Sequence, residues 1–243
     1  MNMLTVLAIL TVLYFFSLVL LCEYRYQINI KLFNGIFICA DLLFYLCWNV
    51  GMWQKGWLDN GFHTLENISP LCFTLIPLTC LMNDKTKEYS YAVLAFLNFG
   101  MLVALYVSPQ YEYLVNYEYD ATFVYTGEMV CHMLCSLFGI YLVLTGQVKA
   151  DFERWVKSIL FLLAIVSFGV FLNYVFHKSY FGMDPYGQYS IYMIDIFDTF
   201  GATLAAYYLG IILVLTVGMQ VCVGLERLSS REERAKFARL FKK

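Results

Sequence analysis

Charge is what this sequence has least of. Only 14% of its 243 residues are Asp, Glu, Lys or Arg, while 61% are hydrophobic. Soluble domains carry roughly a quarter charged residues. A water-soluble core of this size could not hide so much apolar surface, so the excess must face lipid. No CxxC pair occurs among the eight cysteines, which stand at 22, 39, 47, 72, 80, 131, 135 and 222, all within or at the ends of apolar segments. That argues against a disulfide framework and a structural zinc site and leaves most of the cysteines as small packing residues. Nothing resembles a phosphate loop, a metal-ligand cluster or a nucleic-acid surface, so no cofactor, metal or nucleic-acid partner is expected. The first apolar run, Leu4 to Leu21, has neither a basic n-region nor a small-residue cleavage site. It reads as a retained helix rather than a signal peptide.

What is present is a series of apolar runs. Each spanning helix needs roughly 20 apolar residues. Runs of suitable length predict seven spans, at 3–22, 33–53, 65–82, 90–107, 122–145, 156–176 and 200–224. The expected fold is an all-α, seven-helix transmembrane bundle over residues 1–225. A basic amphipathic tail follows over 226–243, in which Ser230 and Glu233 form a capping box and Phe237, Leu240 and Phe241 share a face suited to anionic lipid. Seven spans and short loops use up the chain, so any chemistry must sit among the helices. Residues 187–199 are expected to form a separate interfacial or re-entrant helix, with Asp195 and Asp198 on one face.

Orientation follows from the basic residues. Arg25, Lys31, Lys85, Lys87, Lys149, Arg154, Lys157, Arg227 and the six Lys and Arg beyond it fall on one side of this layout, and only Lys55 and Lys178 on the other. The positive-inside rule then puts the N-terminus outside and the C-terminus in the cytoplasm.

Ionisable residues within spans are costly and mark sites by default. His132 lies about ten residues into the fifth span, and Glu128, four residues earlier, shares its face. A carboxylate there would fix the ring's tautomer and raise its basicity, making His132 a general base. The start of the third span, TLENISPLCF, offers Glu66, Asn67, Ser69 and Cys72. Ser69 and Cys72 are three apart on one face, and a cysteine near a histidine can be activated to thiolate. Asp41 lies in the second span. Asn67, Asn173 and Asp195 are candidate substrate-binding residues.

Four stretches carry a resemblance to a known family: ADLLFYLCW in the second span, LAFLNFGMLVALYVSPQ in the fourth, CHMLCSLFGIYLVL in the fifth and FLNYVFHKSYF closing the sixth. Together they resemble the YwaF-type bacterial integral membrane proteins. Relatives of that family include the transmembrane protein 164 type, a cysteine-dependent phospholipid acyltransferase, and, further off, the androgen-induced membrane lipid hydrolases, which use a threonine and a histidine. The resemblance implies a multi-pass bacterial plasma-membrane protein acting on membrane lipids, with Cys72 as nucleophile and His132 as base. The family's third span opens Pro-Leu-His-Leu-Cys, whereas this chain reads ISPLC, with Pro70 at the histidine position. A shifted alignment puts Ser69 at the cysteine position and Asn67 at the histidine.

The expectation is therefore a lipid acyltransferase or lipid hydrolase. Cys72 attacks an acyl ester, His132 steadied by Glu128 moves the proton, and Ser69 stands in reserve. The rival is a non-enzymatic component, a transporter, channel or accessory subunit serving a partner membrane protein. In that case Asp41, Glu128, Asp195 and Asp198 would line a path.

Overall fold

A computed structural model describes residues 3–54, 56, 67–107, 122–178, 180–183 and 199–229. The expected features at Lys55, Glu66, Asp195, Asp198 and the tail from Ser230 lie outside these residues.

The described chain is a helical bundle: α1 (Met3–Tyr24), α2 (Ile30–Gln54), α3 (Ile68–Leu78) running into a 3-10 turn (Thr79–Leu81), α4 (Asp84–Val107), α5 (Thr122–Leu144), α6 (Phe152–Phe176), a second 3-10 turn (Tyr180–Gly182) and α7 (Phe200–Ser229). All but α3 are long and apolar enough to cross a membrane. The protein is thus an integral, multi-pass, all-α membrane protein.

Several helices begin before their apolar run does. Asn29 accepts a hydrogen bond from the Leu32 N–H at 3.2 Å, Asn83 from Thr86 at 3.0 Å and Asp151 from Arg154 at 2.9 Å. Each cap satisfies a first-turn donor. Helices α4 and α6 therefore start at Asp84 and Phe152, where hydropathy alone places the spans at 90 and 156. Hydropathy locates the stretch that lipid can cover, and the cap locates the start of the helix.

The central helices are α5 and α4. Of their apolar windows 83% and 61% are buried, whereas no other long helix exceeds 33%. Three backbones meet at residues 94–96 of α4. A side-chain carbon added to Gly139 of α5 would stand 2.6 Å from the Leu94 carbonyl oxygen, and one added to Gly218 of α7 only 1.7 Å from that of Phe96. Between them the Ala95 carbonyl accepts from the Cys222 thiol of α7 at 3.4 Å and from the Asn98 side chain. Small residues that let backbones approach are the usual cement of membrane bundles, where lipid gives helices no hydrophobic reason to associate.

Polar contacts fix the directions of the helices. At one end of the bundle Asn34 of α2 donates to Gln147 beyond α5 at 2.9 Å and to Tyr91 of α4 at 3.3 Å. At the same end Arg154 of α6 pairs with Glu88 of α4 and with Asp151, and Glu226 of α7 accepts from the Ala150 N–H at 2.6 Å. At the other end Thr11 of α1 meets Tyr106 of α4 at 2.6 Å, and Trp48 of α2 packs against Gly127 of α5. Helices α2 and α4 therefore run parallel, and α3 lies between them in sequence. Its middle, at Phe73, sits beside Trp48, and the turn that closes it, at Thr79, beside Tyr91.

Near the end that holds Trp48, Asn173 in α6 ties down the turn after its own helix. Its amide donates to the carbonyls of Tyr180 at 3.0 Å and Met183 at 2.5 Å, and its carbonyl accepts from the Tyr180 N–H at 2.7 Å. Asn173→Ala removes all three bonds, which is expected to cost about 2 kcal/mol. The measurement is cleavage between 180 and 183 by added protease, which should quicken while the rest of the chain stays resistant.

Candidate functional site

Helix α3 is eleven residues long and opens at a cap: the Asn67 side chain accepts from the Ser69 N–H at 2.9 Å. Pro70 suits the first turn, where its missing N–H has no intrahelical role to fill. Pro70, Leu71, Cys72, Phe73, Leu75 and Ile76 are buried, Phe73 and Ile76 fully. The α3 start thus brings a serine, presented by a capped first turn, against the middle helix α5.

There Ser69 meets His132. The serine Oγ lies 3.0 Å from His132 Nε2, and His132 Nδ1 lies 2.9 Å from the backbone carbonyl of Glu128. A carbonyl oxygen can only accept, so Nδ1 carries a hydrogen. In the neutral ring Nε2 is then the bare nitrogen, placed to accept from the serine hydroxyl. The imidazole is buried. The edge of Phe73 packs on it, centroids 5.0 Å apart at 79°. Phe73 in turn stands against Tyr45 and Trp48 of α2, at 6.0 and 5.9 Å. The ring is thus held at both nitrogens and packed against Phe73.

The same register places Cys72. Helices α3 and α5 run in the same direction, since α3 begins at His132 and its closing turn lies by Tyr91, which packs on Phe138 further along α5. Advancing three residues on each helix from the Ser69–His132 contact pairs Cys72 with Cys135, and the two thiols are near enough to interact. Both are buried.

Of the residues singled out in the sequence, Asn67, Ser69 and His132 are brought together. Cys72 stands one turn along, its sulfur beside Cys135. Glu128 enters through its backbone carbonyl, where a carboxylate was expected to steady the ring. Asn173 makes three hydrogen bonds to the turn after α6. Asp41 is buried in the middle of α2. The aromatic wall of Tyr45, Trp48 and Phe73 was not singled out. Its sequence signal is the spacing of Asp41, Tyr45, Trp48 and Asn49, one buried face of α2. Among the described residues no cluster of His, Cys, Asp and Glu could hold a metal ion.

The arrangement can do one kind of chemistry directly: a hydroxyl whose proton has an acceptor within hydrogen-bond reach, with that acceptor oriented by a third group. This is the activated-nucleophile pattern, with a backbone carbonyl in the place a carboxylate takes in the Ser-His-Asp triad. Compared with known protein families, with curated proteins and with solved structures, the chain matches none.

Proposed function

We propose that the protein is a membrane-embedded lipid hydrolase or acyltransferase with Ser69 as nucleophile and His132 as base. The observation that carries this reading is the 3.0 Å contact between Ser69 Oγ and a histidine nitrogen whose partner nitrogen is fixed on a carbonyl. Ser69 Oγ adds to an acyl ester carbonyl as its proton passes to His132 Nε2. The ester oxygen then leaves with that proton, and the acyl group stays on Ser69. Water or an acceptor hydroxyl, deprotonated by the same nitrogen, releases it. Acyl chemistry on membrane lipid is also what the resemblance to the YwaF-type proteins implies, with the nucleophile moved from Cys72 to Ser69, one turn earlier. The test is a lipid-soluble fluorophosphonate probe applied to the folded protein and mapped by peptide mass spectrometry. Labelling on Ser69 is expected. Folded protein that never takes label there loses the hydrolase reading.

The proposal includes a topology. Helix α3 completes a seventh crossing, entering from outside, which puts the Ser69–His132 contact in the outer half of the bilayer and the N-terminus outside. Three features support this reading: the parallel course of α2 and α4, the position of α3 between them in sequence, and the gathering of Lys31, Lys85, Lys149 and Arg227 toward the end that holds Asn34. In a cysteine-free background, a cysteine at Glu112 is expected to react with an impermeant reagent added outside, and one at Lys149 is not. The opposite pattern sinks the orientation.

A further inference from the structure

Asp41 takes no part in the proposed chemistry, and among the described residues it is a buried acid with neither oxygen hydrogen-bonded. It sits at the middle of α2 with 1% of its surface exposed. Both carboxyl oxygens are buried, and neither has a hydrogen-bond partner among the described residues. The titratable groups that act with it are two thiols of α5, Cys131 and Cys135; Glu128 and Cys47 lie beyond Cys131, and Cys72 of α3 lies beyond Cys135. No basic side chain among the described residues acts on it. An isolated carboxylate is strongly disfavoured in so apolar a place, and a real group takes up a proton instead.

The carboxyl is also not alone along its helix. Asn34, Asp41, Tyr45 and Asn49 follow one another at intervals of seven, four and four residues, one line along α2. At a rise of 1.5 Å per residue, Asn34 is roughly 10 Å to one side of Asp41 and Asn49 roughly 12 Å to the other. The Asn34 end joins the polar cluster of Gln147, Tyr91 and Tyr141. Toward the other end, Asn49 donates to the Tyr45 carbonyl at 2.8 Å, and the Tyr45 hydroxyl meets Thr74 at 3.3 Å. A line of polar positions thus runs along α2, and the acid at its centre has no hydrogen-bond partner among the described residues.

We propose that Asp41 is an intramembrane proton-binding site, which holds its carboxyl as the neutral acid and exchanges that proton with water along the polar face of α2. The ligand is the proton itself, and the inference stands whether or not Ser69 is a nucleophile.

Dicyclohexylcarbodiimide, which partitions into bilayers, tests this directly. A protonated carboxyl gives its hydrogen to a carbodiimide nitrogen while its oxygen bonds the central carbon, and migration of the acyl group to nitrogen leaves a stable acylurea. The full chain in lipid vesicles is treated at a series of pH values, and the adduct is located by peptide mass spectrometry. Adduct on Asp41 is expected, falling roughly tenfold per pH unit once the site begins to empty. A water-soluble carbodiimide should leave Asp41 unlabelled, and Asp41→Asn should lose the adduct. Because the site is mapped on the parent protein, the result does not depend on that variant folding. Absence of adduct on Asp41 while the same reagent labels another carboxyl of the protein overturns the proposal. So does an adduct whose yield is the same at every pH, because that carboxyl would not exchange.

Discussion

Ser69→Ala is expected to reduce acyl-ester turnover by roughly 10³–10⁶-fold, the range seen when a serine nucleophile that works with a histidine is removed. The variant should still fold, since the lost hydroxyl contributes one hydrogen bond, about 1 kcal/mol. His132→Gln keeps a polar side chain of similar reach but cannot take a proton, and should slow acylation by roughly 10²–10⁴-fold. Cys72→Ala is the informative contrast. Its sulfur faces Cys135, so turnover should change little, and any effect should show in thermal stability. The measurements are single-turnover acylation with short-chain phospholipid and a melting curve on each variant. If Cys72→Ala abolishes acylation while Ser69→Ala preserves it, the nucleophile lies one turn further along α3.

The second large effect concerns stability. Gly218→Ala places a methyl group 1.7 Å from the Phe96 carbonyl oxygen. That atom belongs to the backbone of a central helix and cannot swing aside, so α7 must move off α4 as a whole. Overpacking of this kind is expected to cost about 3 kcal/mol or more, while also straining the nearby bond between Cys222 and the Ala95 carbonyl. Gly224→Ala is the control. It lies in the same helix with nothing within 4 Å of the added carbon, so it should be neutral or gain up to about 1 kcal/mol from helix propensity. Thermal unfolding in detergent measures both. Equal melting points would mean that α7 does not rest on α4 through Gly218.

The membrane class and the placing of the helices were legible because lipid imposes one strong rule: a run of about 20 apolar residues reads the same in any context. The true starts of α4 and α6 were legible too, but in a different alphabet, the caps at Asn83 and Asp151. A reading by hydropathy passes over these because polar first turns do not look like membrane. His132 stood out for its cost at depth. Its partner did not, because Ser69 and Cys72 occupy the same face of α3 three residues apart. Choosing between them requires the register of α3 against α5, and no local pattern in either helix encodes it. That register is set by where the chain enters α3, at the Asn67 cap, and by the wall of Tyr45, Trp48 and Phe73. Glu128 illustrates a further limit. The spacing of four residues correctly put it on the face of His132, but in a helix the carbonyl four residues back is as close to a side chain as the side chain there is, and here the carbonyl takes the bond. Asn173 was read as a ligand group because it is a polar residue near a span's end. The turn that takes three of its hydrogen bonds is formed by residues seven to ten positions later, after the helix has ended.

The meeting of α4, α5 and α7 at residues 94–96 has a thermodynamic consequence of its own. A contact built from carbonyl oxygens and positions lacking a side chain has no rotamers to freeze. A leucine buried in the same place would give up about 0.5–1 kcal/mol of conformational freedom on packing. Gly139 and Gly218 give up none beyond what the helices have already lost in forming. Once the helices stand in the bilayer, this level of the bundle assembles without a side-chain entropy penalty at those two positions.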